Sequence, residues 1–242
     1  MNLLQKDMMA QLRQEISRMQ GQKPINGQLE GKLRLGPVNN AFPQKIFPLG
    51  AIHEWITTSG ATAAATTGFI AAILGDLMRD NGPSVWISPD GLLFPPGFST
   101  FGLQPDRILF VQVKKEKDIC WAMETCLQME GLSAVVSELP ALDFNISRRL
   151  QLAVEKSGVT GFVMRTNRNL HPTACVSRWR ISAAPSYHEQ SLPGVTLPCW
   201  NVELLKMRGG STGRWKLLWQ DGGFQEPVVD RVANPSLLRK IS

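Results

Sequence analysis

Between Thr57 and Thr67 the chain reads TTSGATAAATT, a run of small and hydroxyl-bearing residues. It lies between an apolar stretch and an apolar helical pattern, where a phosphate-binding loop would sit. Such a loop needs G-x-x-x-x-G-K-[ST]. Its glycines let backbone N–H groups curl round a phosphate, its lysine supplies charge and its hydroxyl holds magnesium. Here Gly60, Thr62, Ala63 and Ala64 mark only a vestigial phosphate loop. Ala63 falls at the lysine and Thr62 at the second glycine. The helix N-terminus at Thr62–Thr66 is expected to keep backbone donors that could hold an anion weakly. A second glycine run, Gly27–Leu33, is one residue short of the motif, ends in Leu33 instead of a hydroxyl and follows no apolar strand. It is rejected as a nucleotide site.

The other chemistry-bearing residues are basic. Arg148 and Arg149 open a predicted helix. Arg165 and Arg168 close a strand and enter a loop, Thr166–Thr173, that also carries Asn167, Asn169 and His171. Arg178 and Arg180 alternate with Trp179, which puts both on one face of a strand, and Lys206 and Arg208 are two apart in the same way. With no nucleotide to hold, these charges are available for the phosphates of DNA or for an acidic partner surface. The histidines and cysteines offer less. His53 reads as a hydrogen-bonded structural residue of a strand, and no Ser–His–Asp arrangement or metal-spaced pair is present. Cys120, Cys126, Cys175 and Cys199 fit no C-x-x-C pattern and read as buried, reduced thiols. No cofactor or metal is expected.

The elements that would position these residues follow from periodicity. Ala51–Ile56 reads as a strand, followed by the small-residue loop and by a helix carrying Phe69, Ile70, Ile73, Leu74, Leu77 and Met78 at helical spacing. Further strands are expected at Ser84–Ser88, Ile108–Val113, Ser133–Glu138 and Thr160–Arg165. Helices are expected at Lys115–Glu130 and from a cap at Asn145 to Ser157. Strands alternating with helices imply a mostly parallel sheet covered on both faces. From Ala174 the pattern changes: Cys175–Ile181, Cys199–Met207 and Gly213–Trp219 alternate apolar and polar residues with no helix between them, so the sheet is expected to end in antiparallel strands.

This gives four parts. Residues 1–21 form an amphipathic helix on Leu4, Met8, Leu12 and Ile16, which either packs on its own domain or docks on a partner. Residues 22–48 form a linker rich in Gly, Pro and Asn. Residues 49–225 form the α/β domain, and 226–242 a flexible tail. The 26 Lys and Arg against 20 Asp and Glu give a net charge of +6, a balance that permits nucleic-acid binding without requiring it. No signal peptide is read at the N-terminus, and the apolar runs fall short of a membrane span, so a cytoplasmic protein is expected.

Phe47-Pro48-Leu49-Gly50-Ala51-Ile52-His53-Glu54 ahead of a parallel core, with an antiparallel meander behind it, resembles the RecA-like ATPase core. More specifically, Leu93-Phe94-Pro95-Pro96, Trp121-Ala122-Met123-Glu124, Ser147–Ala153 and Asn201–Lys206 resemble the ImuA family of bacterial error-prone repair, over about residues 36–224. These stretches look like packing signatures and say nothing of mechanism. The resemblance implies an adaptor or regulator in damage-induced translesion synthesis. The implied partners are a Y-family-like polymerase protein and, as further candidates, an error-prone replicative-type polymerase, RecA filaments and single-stranded DNA. The chain is also distantly similar to the SulA division inhibitors, which leaves inhibition of the tubulin-like division protein as an alternative. An ATPase with an unconventional site is the other.

The RecA-like pattern also implies two carboxylates. Where these enzymes place the magnesium Asp, the chain has Ser137. Glu138 follows one residue later and is expected on the opposite face of its strand. Asp90 falls near the position that activates water but reads as a turn residue before Gly91. With the lysine and the magnesium Asp both missing, no ATP hydrolysis is expected. In RecA-like proteins the loops after the two central strands face DNA, which implies that role for Arg165 and Arg168. Lys206 and Arg208 resemble the paired lysines that RecA-like filaments aim at a neighbour's nucleotide.

Overall fold

The first strand, β1 (Ile52–Ile56), is buried at all five positions, His53 and Glu54 included. A strand buried on both faces belongs at the centre of a parallel sheet, and that is its place. The computed structural model describes residues 33–79, 81–91, 93, 95–166, 171–188 and 196–227. The expected N-terminal helix, Arg168 and the part of the expected tail beyond residue 227 lie outside the described residues. Together with β1, strands β2 (Ser84–Ser88), β3 (Ile108–Gln112), β4 (Ala134–Leu139), β5 (Thr160–Arg165), β6 (Ser177–Ala183), β9 (Cys199–Met207), β10 (Gly213–Gln220) and β11 (Gly223–Gln225) form one nine-stranded sheet. Its order is β11-β10-β9-β6-β1-β5-β4-β2-β3. A separate short pair joins β7 (Tyr187–His188) to β8 (Thr196–Leu197).

The pairing is parallel from β3 through β1 to β6 and antiparallel from β6 through β9 and β10 to β11. This is the expected α/β architecture with one correction. β6, read as the first antiparallel strand, is parallel to β1, and the direction reverses only at its other edge. Its alternating burial shows why sequence misplaced it: one of its faces is covered and the other is half-open.

Helix α1 (Gly60–Met78) covers one face of the sheet, and α2 (Glu116–Leu127) and α3 (Phe144–Ser157) cover the other. The stretch expected to be a loop, Thr57–Thr67, is mostly helix. Only residues 57–59 connect β1 to α1. Alanine is the strongest helix former, and Ser59 with Thr62 makes a capping box, so the small residues propagate a helix instead of opening a loop. Among the described residues α1 is the helix long and apolar enough to cross a membrane, and it lies in the core, with Phe69, Ile70, Ile73 and Leu74 fully buried. A Cβ on Gly75 would stand 2.6 Å from the Phe101 carbonyl oxygen, so glycine is what lets the 3₁₀ turn Pro95–Phe101 cross α1 closely. On the other face α3 is capped by Asp143, whose carboxylate accepts from the Ile146 N–H at 2.7 Å, and not by Asn145 as expected. Gly158 closes it in the left-handed conformation.

The described part of the expected linker, from Leu33, is core rather than connection. Leu35, Val38, Ala41, Phe42 and Phe47 are buried, Phe42 meeting Phe47 edge-on at 5.4 Å and Trp179 at 6.0 Å. Two 3₁₀ turns, each with a proline in its first turn, shape this lead-in. It closes against the last strands: Ser211 N–H donates to the Ala41 carbonyl at 2.9 Å, and a Cβ on Gly36 would stand 2.7 Å from the Phe224 carbonyl.

Candidate functional site

The turn after β1 takes up several of its own donors. The N–H groups of Thr58 and Ser59 both donate to Thr62 Oγ1, each at 2.8 Å. That hydroxyl donates to the Ser59 carbonyl at 2.8 Å. The Thr62 N–H turns to Ser59 Oγ at 3.3 Å and the Ala63 N–H to the Ser59 carbonyl at 2.9 Å. A phosphate oxygen at a helix start would seek these same donors. Here a threonine side chain occupies them, at the position where a phosphate loop has glycine.

The two carboxylates stand apart in role. β4 alternates its faces, with Val136 in the α1-side core and Val135 in the α2–α3 side. Ser137 is fully buried. Glu138 points to the α1 side and accepts from Trp86 Nε1 at 3.0 Å, so the two residues do face opposite ways. Burial pushes the Glu138 carboxyl upward. Hydrogen bonds from Trp86 and Ser88 oppose this, and the nearby Asp90 charge adds to it. Asp90 itself is exposed and precedes Gly91, whose φ is +62°.

Most of the basic residues singled out by type are already engaged. Glu54, fully buried on β1, is gripped by Arg165 Nε at 2.5 Å and Arg178 Nε at 2.7 Å, and accepts the Thr173 hydroxyl at 2.9 Å. A buried carboxylate persists only when paired and hydrogen-bonded, and this one is drawn into the sheet by two guanidinium groups on the flanking strands. Burial pulls the Arg165 guanidinium downward, opposed by Glu54. Arg178 also donates to the His171 carbonyl at 2.7 Å, Lys206 Nζ to the Thr173 carbonyl at 2.8 Å and Arg208 to the Ala174 carbonyl at 2.8 Å. A bulge between Arg178 and Trp179 sets Lys206 opposite Arg178. These residues therefore pin the base of the segment between β5 and β6. Burial lowers the Lys206 amine.

The surface group is smaller. Arg148 is exposed on α3, and Arg149 pairs with Glu124 of α2. Arg180 donates to Glu203 Oε2 at 2.7 Å, while Arg214 Nε meets Glu203 Oε1 at 2.9 Å. Arg180, Ser182, Asn201, Glu203, Arg214 and Lys216 line an open groove of about 520 Å³ on the sheet. Arg214 and Lys216 were missed by the sequence reading. Their signal was present, since they alternate with Trp215 and Leu217 just as Arg178 and Arg180 alternate with Trp179.

His53 is the structural residue expected. Its Nε2–H donates to the Pro48 carbonyl at 2.7 Å, and Nδ1 accepts from the Ser177 hydroxyl at 2.6 Å. Burial pushes the imidazole down to about 4. The four thiols are free, with Cys175 and Cys199 buried and Cys120 and Cys126 half-buried. Burial pushes Cys175 up to about 12, which makes it an inert thiol.

No protein-family model matches the chain. Protein ImuA of Caulobacter vibrioides strain NA1000 is 34% identical over 200 residues, spanning 77% of this chain and 82% of that protein. The chain belongs to the ImuA family. A weaker similarity joins it to cell division inhibitor SulA of Serratia marcescens, 27% identical over 124 residues, or 51% of this chain and 73% of that one. SulA of Photorhabdus laumondii is 32% identical over 100 residues, 40% of this chain and 56% of the relative.

Proposed function

We propose that this ImuA-family chain is a non-hydrolysing accessory protein of damage-induced translesion synthesis. It joins polymerase-complex partners, the Y-family-like protein first among them, and contacts single-stranded DNA through its exposed cations. Membership of the ImuA family supports the setting. The observation that carries the non-catalytic reading is Thr62, whose hydroxyl takes the N–H groups of Thr58 and Ser59 beside an alanine at the lysine position. Phosphoryl transfer depends on charge aimed at the phosphates, and this turn carries no lysine and has Thr62 on two of its donors.

The test is a titration of the purified chain with labelled ATP and magnesium, alongside a labelled oligo-dT. DNA binding that weakens with salt, with no nucleotide binding, is the expected result. Stoichiometric ATP binding would overturn the reading and restore the ATPase alternative. The SulA similarity favours a second reading, inhibition of the tubulin-like division protein. Direct binding to that protein, with filamentation of cells on overexpression, would favour it over the adaptor.

A further inference from the structure

Among the described residues, α2 and α3 cover only part of their face of the sheet, and β6, β9 and β10 present an open polar surface on that side. The register places two rows across these strands. Arg180 pairs with Glu203 and Glu203 with Arg214, while Ser182 pairs with Asn201 and Asn201 with Lys216. The rows are two residues apart, about 7 Å along the strands. The side chain of Arg214 is 80% exposed and that of Arg180 39%, and Lys216 and Asn201 are exposed. The one carboxylate, Glu203, holds both guanidinium groups in place. Each guanidinium keeps further N–H donors beyond the one it gives to Glu203.

We propose that this groove binds the phosphodiester backbone of single-stranded nucleic acid, with Arg180, Arg214 and Lys216 as phosphate contacts and Ser182 and Asn201 as hydrogen-bonding neutral ones. The proposal rests on the nucleic-acid reading above and gives it a place. Arg, Lys, Ser and Asn are the side chains that meet phosphates, and two rows of them at fixed spacing suit a repeating anion. An acidic protein segment is the poorer fit. Peptide docking relies on a buried apolar anchor, and the apolar members of this groove, Val202 and Trp215, pack into the core on the α1 side. The charges that hold the β5–β6 segment are separate. They are occupied by Glu54 and by backbone carbonyls, whereas those of the groove stand exposed.

Fluorescence anisotropy of the full chain with labelled oligo-dT, across several salt concentrations, tests this. Arg214→Glu/Lys216→Glu is expected to weaken binding about ten-fold or more at low salt. It should also flatten the salt dependence by roughly 1.4 units of log–log slope, two contacts at about 0.7 each. Glu203→Gln keeps an acceptor for one of the two arginines, removes the groove's carboxylate and is expected to tighten binding several-fold. Arg214→Gln/Lys216→Gln serves as a second variant should charge reversal disturb folding, with the same direction at smaller size. Wild-type binding that none of the groove variants alters would overturn the groove and leave the nucleic-acid reading standing. A wild-type chain that binds no oligo-dT would overturn both. Displacement of the oligonucleotide by poly-glutamate, with the groove variants losing poly-glutamate affinity only, would assign the surface to an acidic protein and also overturn the proposal.

Discussion

Replacing Glu54 by glutamine keeps the shape of the side chain and one acceptor while removing its charge. Arg165, only 1% exposed, and Arg178, 11% exposed, would then lose the charge of the carboxylate they share. Removing one partner from a buried pair costs about 3–5 kcal/mol. The retained acceptor for Thr173 or one guanidinium puts Glu54→Gln near the lower end, about 3 kcal/mol. A domain of this size loses about 2–4 °C of melting temperature per kcal/mol, so Tm should fall by roughly 6–12 °C. The chain should remain folded, given a typical stability of about 5–15 kcal/mol. Urea unfolding followed by tryptophan fluorescence is a direct readout, since Trp55, Trp86 and Trp179 are fully buried. A cycle with Arg165→Met adds a second. The double variant should be more stable than the sum of the singles predicts, with a coupling of about 1–3 kcal/mol. A Glu54→Gln chain within about 0.5 kcal/mol of wild type, or a strictly additive cycle, would refute the claim that this carboxylate is held as a buried charge.

Three further outcomes can be checked on the same purified chain. His53 has its imidazole lowered to about 4 from 6.5, so the unfolded chain binds a proton that the folded one refuses. Stability should be full above pH 6.5 and fall as pH drops towards 4, by about 3 kcal/mol for this group, and pH-dependent urea melts of wild type and His53→Asn should differ in that window. Thr62→Ala removes the acceptor of two N–H groups and should cost about 1 kcal/mol in the same melts. Glu138 has its carboxyl raised by burial, so the folded state takes up its proton first and gains stability as pH falls. Glu138→Gln, which keeps an acceptor for Trp86, should match or exceed wild-type stability at neutral pH.

The parallel core was legible because Ile52–Ile56, Val85–Ile87, Ala134–Val136 and Thr160–Arg165 read as apolar runs that only a doubly covered sheet can use. The start of α1 was not. Its first turns mix Gly and Thr with Ala and lack bulky apolar residues to show a helical period, so the helix start rests on alanine propensity and the pairing of Ser59 with Thr62. The lead-in from Leu33 was missed for a different reason. Its buried residues at 33, 35, 38, 41, 42 and 47 follow neither the period of a strand nor that of a helix. For the site, residue type found the cations but not their employment. Whether Arg165, Arg178 or Arg180 faces solvent depends on where Glu54 and Glu203 lie across the sheet, and that is a matter of register rather than of composition.

The closure of the lead-in against β10 and β11 bears on how the chain is made. A ribosome delivers Leu35, Phe42 and Phe47 long before Phe224 and Trp219 exist to cover their end of the core. The parallel strands and α1 can assemble during synthesis, but the seam between the two ends of the domain can close only once β11 has emerged. Until then an apolar flank stays uncovered, and such a late, long-range closure is slow. Truncation within β11 should leave that flank open and yield an aggregating product.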